Sequence, residues 1–163
     1  MYNVSMAFDS SYLDEKNWKI IAELQQNGRI SFAELGRRVG LTLPAVAERV
    51  RKMEDAGIIT GVHAEIDPAK IGLPIAAIIR ISTVGDVLTR INKTVRDMPE
   101  VLECYRGTGA DSFTLKVVAE SVEHLESLID KLTPFGATST SIVLSTLVGH
   151  RILTRRLVGV RKR

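Results

Sequence analysis

The spacing of apolar residues in this chain is helical before residue 67, whereas after residue 74 strand-like and helical spacings alternate. In the first part they recur every three or four residues, the period of an amphipathic helix, in three successive segments. In the second part, short runs rich in β-branched residues alternate with two helical patterns. The change predicts an α+β protein with a helical domain over 1–66, a linker over 67–74 and a sheet-containing domain over 75–148.

The composition and motifs of the chain argue against several classes of protein. No apolar run reaches the roughly 18 residues of a membrane helix, and residues 1–12 lack the basic flank and apolar run of a signal peptide. The single cysteine, Cys104, cannot close an internal disulfide, and the three histidines lack metal-site spacing. No nucleophile elbow or Walker sequence occurs. We expect a cytoplasmic protein that is not an enzyme, with no metal or cofactor, a buried or interfacial Cys104, and Trp18 in the core.

Three capping signals predict three helices in the N-terminal third. Asp14, Ser31 and Thr42 each precede an apolar stripe and can accept a backbone N–H in the first turn of a helix. The connection between the second and third helices is only a few residues long, which is typical of a helix-turn-helix. Residues 57–66 form two apolar runs around a glycine, so we expect two short strands there, the wing of a winged variant.

The outer face of the third helix predicts a DNA contact. Small residues lie near its N-terminus and cations further along, so the positive end of the helix can approach base edges while the cations reach phosphates. A solvated face of mixed charge is the alternative interpretation. With two arginines of the second helix, the candidate DNA-binding residues are Arg37, Arg38, Thr42, Pro44, Ala45, Glu48, Arg49, Arg51 and Lys52.

Many residues of this half match one known family in order. They include Leu13-Asp14, Asn27-Gly28-Arg29, Val39-Gly40-Leu41-Thr42, Glu48-Arg49-Val50 and Gly57-Ile58-Ile59-Thr60-Gly61, followed by Asp67-Pro68 and Gly72. On these residues the chain resembles the Lrp/AsnC family of bacterial and archaeal transcription regulators over nearly its whole length. The resemblance implies an effector-binding domain that senses amino acids, and homodimers that assemble further, commonly into octamers.

Residues 75–148 predict a sheet covered by two helices. Strands are expected over 75–84, 101–106, 113–119 and 138–148, and amphipathic helices over 88–98 and 121–132. The order β-α-β-β-α-β is the ferredoxin-like arrangement, with both helices on one face of an antiparallel sheet. Apolar residues occupy both alternating sets of the first strand, so both faces are expected to be substantially apolar. We therefore expect two copies to pair sheet to sheet.

The loop over residues 107–112 is the candidate ligand site. Its two glycines permit unusual backbone angles and expose N–H groups that can hold a carboxylate, and its side chains offer acceptors for an ammonium. A plain hairpin is the alternative. In the family that the chain resembles, this loop helps to form an amino-acid pocket between dimers, which implies the ligand residues Tyr105, Thr108, Gly109, Ala110, Asp111 and Ser112. Many relatives carry an aspartate directly before the aromatic residue, where this chain has Ser112 before Phe113.

The positive charge is concentrated at the C-terminal end. Residues 1–63 hold eight cations and eight acids, residues 64–148 hold eight cations and eleven acids, and residues 149–163 hold six cations and no acid. We term residues 149–163 the basic arm. Such a segment favours a polyanion as its partner, with an idle solvated tail as the alternative.

Together these patterns predict an oligomeric, sequence-specific transcriptional regulator that binds double-stranded DNA and is modulated by an amino acid or a related small molecule. An effector-independent architectural DNA-binding protein agrees with many of the same residues. A regulatory subunit of an amino-acid-metabolising enzyme agrees with the C-terminal half alone, and leaves the third helix without a function.

Overall fold

The computed structural model describes residues 12–83, 85 and 87–158, which form two units. One unit holds the described residues up to Ala64 together with those from Val148 onward, and the other runs from Glu65 to Leu147. Residues 1–11, the last predicted residue of the first strand (Val84) and the end of the basic arm (159–163) lie outside the described residues. In the part that is described, no helix is both long and apolar enough to span a membrane.

The first unit contains the three predicted helices, α1 (Glu15–Gln26), α2 (Phe32–Val39) and α3 (Leu43–Asp55). Each begins directly after its predicted cap. The N–H of Asn17 donates to the Asp14 side chain at 2.7 Å, that of Glu34 to Ser31 at 3.2 Å and that of Ala45 to Thr42 at 3.4 Å. The caps fix where each helix starts because they satisfy backbone donors that have no partner within the helix.

Two glycines, Gly40 at the end of α2 and Gly36 within it, make the turn between α2 and α3 tight. Gly40 ends α2 with a φ of 68°, a left-handed conformation that side chains disfavour. A Cβ at the buried Gly36 would lie 2.6 Å from the carbonyl oxygen of Leu41, so the turn packs directly on the helix backbone. The helices then close around an apolar core formed by Ile20, Ile30, Leu35, Val39, Val46, Val50 and Met53.

Two expectations for this unit are wrong. Residues 57–66 form no strands, because the N–H groups of Ile58 and Ile59 donate to the carbonyl of Met53 and turn this segment back onto α3. Both isoleucines pack against the helical core instead of pairing in a wing. Trp18 is only half-buried and lies outside the core, while its neighbour Asn17 takes a buried position at 8% exposure.

The second unit begins with a turn of 3-10 helix (Pro68–Ile71), which Asp67 caps, in the predicted linker. Its elements are β1 (Ile75–Thr83), α4 (Leu88–Arg96), β2 (Val101–Arg106), β3 (Phe113–Ala119), α5 (Val122–Leu132), a 3-10 turn (Thr133–Phe135) and β4 (Gly136–Ile142). The strands form one antiparallel sheet in the order β2-β3-β1-β4. The α+β class and the β-α-β-β-α-β order are therefore confirmed.

Both helices of this unit cover the same face of the sheet. Alternate residues of β1, namely Ala77, Ile79 and Ile81, are fully buried on that face. They pack with Ile91 of α4 and with apolar residues of α5 in a single core. The burial of every second strand residue confirms the phase that alternation predicted for β1.

The opposite face of the sheet is less apolar than expected. It carries Ala76 and Ile78 at one end of β1, but Arg80 and Ser82 at the other. The Arg80 guanidinium donates to the hydroxyl of Ser141 on β4 at 3.3 Å. The expectation that both faces are substantially apolar is therefore wrong for half of this face, which is polar.

The last strand is shorter than predicted. β4 ends at Ile142, and the N–H of Val143 makes one further bond, to Ala76 at 2.8 Å. Beyond that bond β1 has no residue left to pair, because it begins at Ile75 directly after a proline. The apolar residues that suggested a strand as far as Val148 thus leave the sheet.

The caps provide a direct test of the energetics of the second unit. Replacing Ser121, which accepts the His124 N–H at 3.1 Å at the start of α5, with alanine should lower the free energy of unfolding by about 1 kcal/mol. Replacing Ser127 in the middle of the same helix should change it by less than about 0.5 kcal/mol, because alanine has the higher helix propensity. Urea denaturation followed by circular dichroism measures both, and equal effects would contradict the capping role of Ser121.

Candidate functional site

The outer face of α3 projects small residues first and charged residues later. Thr42, Pro44, Glu48, Arg51 and Lys52 are exposed, and Ala45 is half-buried. The sequence did not single out Leu43, whose side chain is 51% exposed at the start of the helix. The arrangement leaves the first turn of α3 open to close approach by a partner.

The charges on this face pair with one another. The Arg51 guanidinium contacts Glu48 at 3.0 Å and Asp55 at 2.9 Å, and the Lys52 ammonium lies 3.4 Å from Glu48. The hydrogen bond from Arg51, followed by that from Lys52, lowers the pKa of Glu48. Because all of these groups are exposed, the ion pairs contribute little to stability and can exchange for other partners.

Arg49 does not belong to this exposed set. Its Nη1 donates to Asp14 Oδ2 at 2.7 Å and to Asn17 Oδ1 at 2.8 Å, so it joins α3 to the start of α1. The Asn17 amide also donates to the carbonyl of Tyr12 at 2.6 Å. The backbone N–H of Asn17 is the main cause of a lowered pKa at Asp14, and Arg49 lowers it further. Arg49 thus holds the helices together in this structure.

The two arginines of α2 differ from each other. Arg38 bridges two helices, with Nε 2.9 Å from Glu34 and Nη1 2.8 Å from Glu23 of α1. Arg37 also pairs with Glu34, but its side chain is 78% exposed. Arg38 therefore acts within the fold, while Arg37 is available at the surface.

Sequence reasoning missed the partners of these arginines. Asn17 and Glu23 were not singled out, and Asp14 was identified only as a cap. A signal for Asn17 was present, since it lies three residues before Ile20 on the inward stripe of α1. A polar residue at such a position requires a hydrogen-bonding partner from a neighbouring element.

The loop between β2 and β3 is closed at its base and anchored to β1. The N–H of Gly107 donates to the Ser112 carbonyl at 3.0 Å, and the N–H of Ser112 donates to Ile81 at 2.8 Å. The Ser112 hydroxyl accepts from the backbone N–H of Thr83 at 3.3 Å and from its hydroxyl at 2.9 Å. Ser112 therefore fixes the loop to the end of β1.

Asp111 shares this anchoring role. Its Oδ1 accepts a hydrogen bond from the Ser82 hydroxyl at 3.2 Å, and its side chain is half-buried. The remaining candidates, Tyr105, Thr108, Gly109 and Ala110, are exposed. The structure thus places four predicted ligand residues at the surface and two at the base of the loop.

A cavity of about 200 Å³ adjoins the base of the loop. It brings Ser112 together with residues that the sequence did not indicate, among them Arg106 at the end of β2. The full lining is Thr83, Gly85, Val87, Leu88, Arg106, Gly107, Ser112 and Phe113. A cation beside hydroxyl and backbone groups can bind a carboxylate.

The structure narrows two expectations about this region. Gly107 and Gly109 do not have positive φ angles, since the loop closes through its backbone bonds without a left-handed residue. Cys104 is exposed because β2 is an edge strand, so burial within the chain is excluded and packing at an interface remains. Burial of part of its surface raises the pKa of the thiol. Among the described residues, no group of histidine, cysteine, aspartate and glutamate side chains could hold a metal ion.

Two family models match the chain. The Lrp/AsnC ligand binding domain matches residues 76–153, which include the sheet and the loop. The winged helix-turn-helix DNA-binding model matches residues 13–60, which include α1 to α3.

Named relatives agree with both matches. The HTH-type transcriptional regulator LrpC of Bacillus subtilis is 37% identical over 83% of this chain and 94% of its own length. The proline dehydrogenase transcriptional activator of Rhodobacter capsulatus is 34% identical over 83% of this chain and 93% of its own. Both are regulators of transcription and not enzymes.

Solved structures show the same fold. The structure of B. subtilis LrpC superimposes with a TM-score of 0.79 and covers 83% of this chain and 96% of that one. A transcriptional regulator from Neisseria meningitidis, solved as a complex with L-Met, has 30% identity and a TM-score of 0.82, and covers 89% and 99% of the two chains. The chain therefore belongs to the Lrp/AsnC family of HTH-type transcriptional regulators.

Proposed function

We propose that this protein is a sequence-specific DNA-binding regulator that acts as an oligomer and responds to an amino acid. The observation that carries the proposal is the capped helix α3, which follows a tight turn and presents its first turn and its charged face to solvent. This is the geometry of a helix that enters the major groove.

Fewer basic residues of α2 and α3 are free to contact DNA than their number suggests. Arg51 and Lys52 make only exposed ion pairs, which phosphates can replace with little loss of stability. Arg49 is bound to the buried Asn17, so using it for DNA would leave a buried acceptor without its donor. We therefore assign phosphate contact to Arg37, Arg51 and Lys52, close approach to Thr42, Pro44 and Ala45, and a positioning role to Arg38 and Arg49.

The ligand site is proposed at the loop over residues 107–112 and the adjoining cavity. Arg106 offers a cation for the ligand carboxylate, and the exposed residues 108–110 offer backbone groups for the rest of the ligand. The relative that was solved with L-Met supports an α-amino acid as the ligand class. Asp111 and Ser112 position the loop, because their side chains are already bonded to β1.

We also propose that two copies associate through the second unit. Apolar residues at the end of β4 and after it are strongly exposed, with Ile142 at 49%, Leu144 at 95% and Leu147 at 94%. A monomer rarely exposes neighbouring large apolar residues to this extent. A second copy of the chain would cover them, together with the apolar end of the outer sheet face, Ala76 and Ile78.

DNA binding is tested with one double variant and one single variant of α3. The double variant Arg51→Ala/Lys52→Ala should bind duplex DNA more weakly and reduce the slope of log affinity against log salt by about two, because two phosphate contacts are lost. The variant Arg49→Met should instead lower the free energy of unfolding by about 1 to 3 kcal/mol, because the buried Asn17 oxygen loses its donor. Fluorescence anisotropy over a salt series and urea denaturation provide the two readouts.

The reverse pattern would contradict this division of roles. Suppose that Arg49→Met is as stable as the wild type but binds DNA more weakly and with a smaller salt slope, while the double variant binds like the wild type. Arg49 would then face the DNA. Failure of the wild type to bind any duplex would exclude the regulator function as a whole.

Ligand binding is tested by calorimetry with a panel of L-amino acids that includes L-methionine. At least one amino acid should give a heat of binding with the wild-type protein. The amine that has the same side chain but lacks the carboxylate should give none. Replacing Arg106 with alanine should raise the dissociation constant about tenfold or more, as expected for a lost charged hydrogen bond. Arg96→Ala, an exposed arginine of α4, is the control. No heat from any amino acid would favour an effector-independent architectural protein.

Association is tested by sedimentation at micromolar concentration. The wild type should sediment as a dimer or a larger assembly, and Leu144→Glu/Leu147→Glu should sediment as a smaller species, because both side chains are almost fully exposed within one chain. Val122→Glu, which alters another exposed apolar residue of the same unit, should leave the mass unchanged. A monomeric wild-type protein would rule out the interface.

A further inference from the structure

The three-helix part of the DNA-binding unit carries no excess of positive charge. Residues 1–63 hold as many acids as cations. In addition, six of the described cations are already paired with carboxylates: Lys19, Arg37, Arg38, Arg49, Arg51 and Lys52. Affinity for duplex DNA comes largely from cations that displace counterions from phosphates. The helices alone thus lack a strong source of this affinity.

The basic arm belongs to the same unit and is fixed to α1. The Gln25 side-chain amide donates to the Leu153 carbonyl at 2.9 Å, and the Leu153 N–H donates to Gln25 Oε1 at 2.8 Å. One side chain thereby satisfies both backbone groups of Leu153, in the manner of a strand partner. This pair of bonds sets the position of the arm along the helix.

The described cations of the arm are exposed. Arg151 lies just before the anchored residue, and Arg155 and Arg156 follow it in a single helical turn, α6 (Arg155–Val158). Within the described ranges, none of the three forms an ion pair with a carboxylate. Arg155 lies near enough to Glu15 to help lower its pKa, after the larger effect of Lys19. Glu15 follows Asp14, which accepts the hydrogen bond from Arg49 of α3, so this cation of the arm lies within electrostatic range of the start of α1.

We propose that the basic arm is a second DNA-contacting element of this unit, positioned by Gln25, which binds the phosphate backbone. The proposal rests on the proposed DNA binding by α3. The arm brings six cations and no acid to a unit that is otherwise neutral. Its described arginines, Arg151, Arg155 and Arg156, lie on an irregular segment and a single helical turn. This described part offers no regular surface to fit a groove, so the contact is to phosphates and does not depend on base sequence.

The test uses the full-length protein and a duplex of random sequence. Fluorescence anisotropy measures the affinity from about 50 to about 250 mM salt, a range over which phosphate contacts give a steep salt dependence. Arg155→Ala/Arg156→Ala should weaken binding about tenfold or more at the lowest salt concentration and reduce the slope of log affinity against log salt by about two. The matched control is Lys93→Ala/Arg96→Ala, which removes two exposed cations from α4 in the other unit and should leave the slope unchanged.

Gln25→Leu tests the anchoring. It keeps the charge and the helix propensity of α1 but removes both bonds to Leu153, so affinity for the same duplex should fall several-fold while circular dichroism stays that of the wild type. Wild-type affinity in this variant would overturn the positioning role of Gln25.

The outcomes separate the two proposals. If Arg155→Ala/Arg156→Ala keeps the wild-type affinity and slope while Arg51→Ala/Lys52→Ala loses binding, the arm does not contact DNA and α3 does. If the control lowers the slope as much as the arm variant, the effect reflects net charge and the proposed contact is overturned. If the wild type binds no duplex at all, the DNA-binding function itself fails.

Discussion

The arrangement of the DNA-binding unit depends on the bonds of Arg49 to Asp14 and Asn17. These bonds tie the middle of α3 to the first turn of α1, next to the apolar core. Asn17 is 8% exposed, so its oxygen has little access to water, and an unsatisfied buried acceptor costs about 1 to 3 kcal/mol. The buried stripe of Val46, Val50 and Met53 turns one face of α3 inward, and these directional bonds add to what holds its rotation about the helix axis. That rotation determines which side chains of α3 face outward.

This use of arginine limits what the helices can contribute to binding a polyanion. Arg38 joins α2 to α1 through Glu34 and Glu23, just as Arg49 joins α3 to α1. A cation held between helices cannot also neutralise a phosphate without breaking the bonds that position its helix. Counting the basic residues of a helix-turn-helix therefore overestimates its phosphate contacts. The charge that remains available lies in side chains whose partners are exposed, and at the C-terminal end of the chain.

Local signals in the sequence predicted the elements better than they predicted the contacts. Ser31, Thr42 and Ser121 each mark the start of a helix because a cap acts within four residues of the chain. The two strands expected over residues 57–66 and the end of the last strand were wrong because both depend on distant partners. The N–H groups of Ile58 and Ile59 bond to Met53 of α3, and β1 has no further residues to pair with β4. The orientation of Arg49 was missed for the same reason. The periodic pattern of α3 predicts that Arg49 is exposed to solvent. Its partners, Asp14 and Asn17, become apparent only once α1 is packed beside α3.

The proposed ligand site at the loop over residues 107–112 suggests a way for an effector to act on the proposed assembly. Asp111 and Ser112 attach the loop to Ser82 and Thr83, the last residues of β1. Ser82 belongs to the outer face of the sheet, in the same alternating set as Ile78. A ligand bound beside Ser112 either preserves these bonds or competes with them, and each case gives a different arrangement at the end of the sheet. Only the difference in affinity between such arrangements can shift the balance between assemblies. Under the proposed function, Ser82 and Thr83 would couple the ligand to the oligomer without requiring the sheet itself to deform.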